Sequence, residues 1–121
     1  MSEKAPAVTG FSSLAIDCAD AARLGQFWAD LLGGSIELDA DSDAIVRAPG
    51  LPRLDFLQVP EGKSGKNRLH LDLAASDVAA ATEQAIALGA TRADDVYDGR
   101  RWQVLRDPEG NEFCLLPPEL S

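Results

Sequence analysis

Histidine is almost absent from this sequence, since the 121 residues contain a single one, His70. One imidazole excludes every site that takes two histidines from the same chain, including the two-histidine, one-carboxylate iron site of non-haem oxygenases. Cysteine is also scarce: Cys18 and Cys114 stand far apart in apolar runs, without a Cys-x-x-Cys pair. We therefore expect neither a disulfide framework nor a zinc knuckle.

Basic residues are also few. Eleven Lys and Arg residues stand against twenty Asp and Glu residues, which gives a formal net charge of −9. Because phosphate backbones and anionic lipids are bound through Lys and Arg, this charge argues against nucleic-acid and membrane partners. The sequence has no long uncharged apolar run, and its start, MSEKAPAVTG, has no apolar signal-peptide core. These absences predict a cytoplasmic protein.

The hydrophobic pattern that is present predicts a strand followed by a helix. In SSLAIDC, residues 12–18, apolar and polar positions alternate as in a strand with one buried face. Apolar residues then recur three and four positions apart, as on one face of a helix: Leu24, Phe27, Trp28, Leu31 and Leu32. Asp20 can cap the start of this helix, and Gly33 can adopt the left-handed conformation at its end.

The second half of the chain repeats this pattern. RLHLDLAA, residues 68–75, alternates like a strand, and the segment after it predicts a helix between an Asp77 cap and Gly89. The two caps and the two glycines are separated by the same offset within one residue. This indicates an internal duplication of about 55 residues. Three short β-prone runs follow each helix, so each half is predicted to be β-α-β-β-β, with a turn at DPEGN, residues 107–111.

Three segments in this order carry a resemblance to a known family: DCADAARLGQFWADLLGG, VPEGKSGKNRLHLDL and WQVLRDPEGNEFCLLP. Together they resemble the glyoxalase-like domains of the vicinal oxygen chelate superfamily, which includes glyoxalase I, bleomycin-resistance proteins and extradiol dioxygenases. The resemblance implies an α+β fold in which two tandem βαβββ modules form a curled mixed sheet around a cavity. It also implies a homodimer, because two-module members usually pair.

The domain limits follow from the repeat and from this resemblance. We expect one domain at residues 11–117, with short tails at 1–10 and 118–121. It would consist of module one at 11–59, a linker at 60–67 and module two at 68–117.

In the superfamily, metal ligands come from the first and last strands of each module. The resemblance places Ser13, Asp55, His70 and Cys114 at those positions. The metal enzymes of the superfamily have histidine or glutamine, glutamate, histidine and glutamate there, so only His70 is of the expected type. The incomplete set predicts that no metal or other cofactor is bound. The alternative is a divalent metal such as zinc held by Asp55, His70 and Cys114, which are all permitted zinc ligands.

Strand alternation agrees with these positions, because the residues between them face the other way, toward the helices. The residues predicted to face the helices are Leu14, Ile16, Leu54, Phe56, Leu69, Leu71, Phe113 and Leu115. His70 and Asp72, two residues apart, both face the cavity. Glu112 shares the face of Cys114 but lies one pleat away, so it could replace Cys114 as a ligand only after rearrangement.

These residues leave three functions open. The first is metal-independent binding of a small organic molecule in a pocket lined by Ser13, Asp55, His70, Asp72 and Cys114. The second is a lyase or isomerase, in which His70 is the acid/base catalytic residue, oriented by Asp55 or Asp72, or a metal assists. A Cys114 thiolate activated by His70 is a further form of it. The third is a structural or regulatory subunit with a filled apolar cavity.

Trp102 is the aromatic residue whose role the pattern leaves undecided. It precedes Gln103 on a predicted strand, and it fits the core, a cavity wall or a subunit contact equally well. Aromatic walls suit flat organic ligands.

Overall fold

A computed structural model describes residues 6–121, so part of the predicted 1–10 tail lies outside the described residues. The first half contains β1 (Leu14–Cys18), α1 (Ala21–Leu32), β2 (Ser35–Leu38), β3 (Ala44–Arg47) and β4 (Leu54–Gln58). The second half contains β5 (Asp72–Ala74), α2 (Val78–Leu88), β6 (Thr91–Arg92), β7 (Gln103–Arg106) and β8 (Glu112–Leu116). A 3-10 helix, Pro118–Leu120, follows β8.

The α+β fold of two βαβββ modules is confirmed. Each module forms its own four-stranded sheet, in the order β1-β4-β3-β2 for the first and β5-β8-β7-β6 for the second. The first and last strands of each module pair in parallel, and the other neighbours are antiparallel. The two modules therefore have equivalent strand orders, as the internal duplication predicts.

Both helices begin and end where the sequence predicts. The Asp20 carboxylate accepts the N–H of Arg23 at 3.2 Å, and the Asp77 carboxylate accepts that of Ala80 at 3.1 Å. Gly33 ends α1 with φ of 68°, a left-handed conformation that glycine adopts at no steric cost. These local interactions fix the helix ends independently of the rest of the fold.

An aromatic cluster joins the helix of module one to the sheet of module two. Phe27 and Trp28 of α1 contact Phe113 of β8 edge to face, with the Trp28 and Phe113 ring centroids 4.8 Å apart. All three side chains are buried in the main core, together with Phe56 of β4. Such pairs add about 0.5–1.5 kcal/mol beyond the area that they bury. The two modules therefore share one hydrophobic core.

A buried carboxylate completes this connection. Asp107, at the start of the DPEGN turn, is 4% exposed and accepts the indole N–H of Trp28 at 3.0 Å. It also accepts the backbone N–H groups of Glu109 and Asn111, at 2.9 and 3.0 Å, and the side-chain amide of Asn111 at 3.1 Å. Glu109 in turn accepts two backbone N–H groups at the start of α1, at 2.7 and 2.8 Å. The turn of module two thus holds the helix of module one.

The strand predicted at 68–75 is shorter than expected, and this prediction was wrong at its start. Only Asp72–Ala74 form β5, and Leu69, predicted to face the helices, is 87% exposed. Glu112 holds the chain before β5 through two hydrogen bonds. Its carboxylate accepts the backbone N–H of Asn67 at 3.0 Å, and its backbone carbonyl accepts the side-chain amide of Asn67 at 3.3 Å. Alternation in the sequence cannot show where such contacts replace the strand ladder.

We predict that Asp107→Ala lowers the free energy of unfolding by about 3 kcal/mol or more, because it leaves several donors, including the Trp28 indole N–H, without an acceptor. Urea unfolding followed by circular dichroism measures this change. Asp98→Ala, which removes an exposed ion pair with Arg100, is the control and should change stability by less than about 0.5 kcal/mol. Equal effects of the two substitutions would contradict the role given to Asp107.

Candidate functional site

Three side chains predicted to line the pocket come together on the second sheet. The His70 Nδ1 atom lies 2.8 Å from Asp72 Oδ1 and 3.9 Å from the Cys114 Sγ atom. One donor atom from each residue lies within 4.8 Å of the other two. His70 and Asp72 are half exposed, with side-chain exposures of 41% and 49%, whereas Cys114 is buried. We refer to His70, Asp72 and Cys114 as the His70 cluster.

The strand register explains how these residues meet. Asp72 of β5 and Cys114 of β8 are directly paired in the parallel ladder, so their side chains project from the same face. The N–H of Cys114 donates to the carbonyl of Leu71, which extends the pairing by one residue toward His70. Leu115, the next residue of β8, packs into the main core on the opposite face. The His70 cluster therefore lies on the face of the sheet that the helices do not cover.

The other two predicted pocket residues form a separate group on the first sheet. Ser13 Oγ donates to Asp55 Oδ2 at 3.0 Å, and the Arg53 guanidinium lies 2.9 and 3.0 Å from the two Asp55 carboxylate oxygens. Arg53 was not predicted as a site residue, although its position two residues before Asp55 on the same strand face was a signal. In the described part of the chain, no hydrogen bond or ion pair joins this Asp55 group (Ser13, Arg53 and Asp55) to the His70 cluster.

Glu112 is fully engaged and is not a substitute ligand. Its carboxylate accepts the N–H of Asn67 and lies 3.4 Å from Arg106 Nε and 3.7 Å from the Lys63 ammonium. Burial tends to raise the pKa of Glu112, but the hydrogen bond from Asn67 and the two cations outweigh it, so the pKa lies below its usual value. Glu112 is thus an ionised anchor that fixes the segment before His70.

An aromatic-bearing loop covers part of the same face. Residues 93–102 connect β6 to β7 and carry Tyr97 and Trp102, whose rings stack with centroids 4.1 Å apart and planes within 2°. Both rings pack against a small buried cluster of Ala93, Val104 and Cys114. Trp102 therefore lies beside the His70 cluster and outside the main core.

Trp102 lines two recesses. One has a volume of about 310 Å³ and is lined by His70, Asp72, Trp102, Cys114, Leu116 and Leu120. The other, of about 250 Å³, shares His70, Trp102 and Cys114 with the first and adds Tyr97, Lys66 and Val96, among others. We call them the Leu116 recess and the Tyr97 recess. Both place the His70 cluster beside apolar surface.

Comparison with known proteins shows the family. A family model described as a glyoxalase-like domain matches residues 13–116. The chain belongs to this glyoxalase-like domain family. The resemblance found in the sequence is therefore confirmed. No curated protein matches the chain.

Solved structures with the same fold are similar over most of their length. A glyoxalase/bleomycin resistance protein/dioxygenase family enzyme from Burkholderia phytofirmans PsJN is 21% identical, with a TM-score of 0.70 over 86% of this chain and 94% of that one. A glyoxalase/bleomycin resistance protein from Albidiferax ferrireducens T118 is 23% identical, with a TM-score of 0.62 over 88% and 97%. The fosfomycin resistance protein FosX from Listeria monocytogenes is 16% identical, with a TM-score of 0.71 over 93% and 94%. At these identities the likeness shows the shared fold.

Within one copy of this glyoxalase-like domain, the positions that the resemblance gives as metal ligands lie in two separate groups. Asp55, the third member of the predicted zinc set, is neutralised by Arg53 and lies outside the His70 cluster. Asp72 takes its place beside His70 and Cys114. Within one copy, the described residues therefore do not assemble two ligands from each module, and His70, Asp72 and Cys114 are the only group of three possible metal donors among them.

The Cys114 thiol is poorly suited to act as a nucleophile. Its pKa is raised to about 11, mainly by burial and also by the charge of Asp72 and a hydrogen bond to Asp72, against an opposing effect of Lys66. The thiol and the Asp72 carboxylate also approach the same ring nitrogen of His70. A base that activates a thiol uses one ring nitrogen for the thiol and the other for its orienting partner. This arrangement argues against the thiolate form of the mechanism.

Among residues 6–121, no helix has the length and apolar character needed to cross a bilayer.

We predict that alkylation of Cys114 by iodoacetamide at pH 8 is on the order of 100-fold slower than that of free cysteine, because a pKa of about 11 leaves little thiolate. The measurement uses a Cys18→Ala variant and mass spectrometry across pH 7–11, and the rate should rise through the whole range. Asp72→Asn removes a negative charge, lowers the pKa and should speed labelling at pH 8. A rate that is already maximal below pH 9 would contradict the raised pKa.

Proposed function

We propose that this glyoxalase-like domain binds a small organic molecule beside the His70 cluster, without the usual metal site of its superfamily. The observation that carries this proposal is that Asp55, one of the expected ligands, is already engaged: Arg53 lies 2.9 and 3.0 Å from its two carboxylate oxygens, and Ser13 donates to one of them. A polar cluster flanked by apolar recesses is the usual composition of an organic ligand site.

The chemistry of the cluster suits recognition. The half-exposed imidazole and carboxylate of His70 and Asp72 offer a hydrogen-bond donor and acceptors to a bound molecule. The apolar side chains of the two recesses supply the burial that provides most of the binding free energy. The Leu116 recess, at about 310 Å³, lies at the lower end of the range for small-molecule sites.

We further propose that a second copy of the chain completes the cavity in a cytoplasmic homodimer. The Asp55 group lies on the face of the first sheet that the helices do not cover. The His70 cluster lies on the equivalent face of the second sheet. If two copies pair so that unlike sheets face each other, the Asp55 group of one copy lines the cavity of the His70 cluster of the other. All five predicted pocket residues then contact one ligand.

A lyase or isomerase is the second candidate, and the contact between His70 and Asp72 favours it. Because Asp72 engages Nδ1 at 2.8 Å, the imidazole is oriented and Nε2 is left to exchange a proton with a bound molecule. In the metal-assisted form, His70, Asp72 and Cys114 would hold the ion, which would polarise a substrate oxygen. A compound that binds and is converted by the wild type, but not by His70→Ala, would favour this candidate.

We predict that fragments that bind the protein will shift the NMR signals of the His70 ring. These signals can be assigned without ambiguity, because the chain has one histidine. His70→Ala should weaken binding about tenfold or more, since it removes a buried polar contact with the ligand. It should leave the free energy of unfolding within about 1 kcal/mol, because the side chain is half exposed. Excess chelator should not change the affinity. Binders that leave the His70 signals unmoved, or a library without binders, would contradict the proposal.

We also predict that mixing two defective variants restores binding if the cavity forms between copies. Asp55→Ala and His70→Ala should each weaken binding of a fragment identified above. After random exchange of subunits, roughly a quarter of all sites should bind normally, because each mixed dimer contains one intact site. Titration calorimetry of the mixture, beside each variant alone, counts these sites. Recovery of no sites from a mixture that has exchanged subunits would place the whole cavity within one chain.

A further inference from the structure

The connection between the second and third strands of each module differs between the two halves. In module one, residues 39–43 link β2 to β3, whereas in module two the longer segment 93–102 links β6 to β7. This segment carries Tyr97 and Trp102 over the face that holds the His70 cluster. The second sheet therefore has an aromatic surface, whereas the shorter corresponding segment of the first sheet carries no aromatic residue.

Ionic and polar contacts fix this segment. Arg106 of β7 holds the Asp95 carboxylate through two hydrogen bonds, at 2.9 and 2.7 Å. Gln103 donates its side-chain amide to Asp94 at 3.1 Å. The near-parallel stack with Tyr97 then orients the Trp102 ring. A surface held in this way loses little conformational entropy when a ligand binds.

Trp102 can be reached from a recess that Tyr97 does not line. Trp102 lines both recesses, whereas Tyr97 lines the Tyr97 recess and not the Leu116 recess. A flat group that enters the Leu116 recess therefore meets Trp102 without displacing Tyr97. Leu116 and Leu120 supply apolar contacts around it.

The charge around the Leu116 recess disfavours anions. Its described lining residues include Asp72 and His70 but no lysine or arginine. Asp72 is half exposed, and the whole chain has a formal net charge of −9. An anionic ligand in the Leu116 recess would face this carboxylate, because Lys66 lines the Tyr97 recess instead, whereas a cation is attracted both by Asp72 and by the face of the indole ring.

We infer that the ligand of the site proposed above is a planar aromatic molecule without negative charge, which stacks on Trp102 with its polar group toward Asp72 and His70. Trp102 is then the residue that determines ligand class. This inference rests on the proposed binding function and adds the chemistry of the ligand.

Three probes of similar size test this inference: 2-naphthylmethylammonium, 2-naphthoate, and the saturated, non-planar decahydro-2-naphthylmethylammonium. The two indole N–H signals in ¹H–¹⁵N NMR spectra separate the site from the core, because Trp28 is buried and bonded to Asp107. We expect the aromatic cation to shift the Trp102 and His70 signals and not that of Trp28. It should bind about tenfold or more tightly than either of the other probes.

Variants of two residues provide the controls. Trp102→Leu keeps an apolar side chain but removes the ring, and it should weaken binding of the aromatic cation about tenfold, whereas Trp102→Phe should retain most of it. Asp72→Asn should narrow the difference between the cation and 2-naphthoate, an effect that a purely structural role for Asp72 would not produce.

Four results would overturn the inference. The first is binding of 2-naphthoate or of the saturated probe that is as tight as that of the aromatic cation, or tighter. The others are an unmoved Trp102 signal, full affinity in Trp102→Leu, and no binding by any of the three probes. The fragment screen then separates the two proposals. Fragments that shift the NMR signals of His70 but not that of Trp102 would support the binding function and contradict the proposed ligand class. A screen that finds no binders would contradict both proposals.

Discussion

The hydrogen bond from the buried Trp28 indole to the Asp107 carboxylate is the interaction on which the rest of the structure depends. It joins the helix of module one to the last turn of module two, and that turn aligns β7 with β8. Glu112, the first residue of β8, then holds Asn67 and so places the segment that carries His70. The position of the candidate site is therefore set by a polar contact between the modules, because a buried carboxylate tolerates few arrangements of its donors.

Local signals were sufficient to predict most of the fold. The caps at Asp20 and Asp77 act within one turn of helix, so the sequence contains all the information that they need. Strand faces follow from alternation once a strand exists, which is why Phe56 and Phe113 were placed correctly in the core. Leu69 was misplaced because its conformation depends on Glu112, a residue far away in the sequence, and no local pattern reports such a contact.

The sequence was sufficient to predict which residues belong to the candidate site, but not which of them lie together. Alternation placed His70, Asp72 and Cys114 on one face, and the parallel register of β5 and β8 brings them together. Aspartate is an acceptable ligand type at position 55, but the ionic partner Arg53 determines what that carboxylate can do. Trp102 was undecided because a lone aromatic residue on a strand suits several environments, and its stacking on Tyr97 requires the fold of the 93–102 segment.

We propose that a site for an organic molecule stands here in place of the superfamily's metal site. Elemental analysis tests it most directly, on tag-free protein incubated in turn with nickel, zinc, cobalt, manganese and iron and then dialysed, beside His70→Ala. We expect far less than one ion per chain in both proteins, because Asp55 is engaged by Arg53 and the raised pKa of Cys114 opposes loss of its proton to form a ligand. About one ion per chain in the wild type, lost in His70→Ala, would contradict it and make His70, Asp72 and Cys114 the ligands of a metal centre.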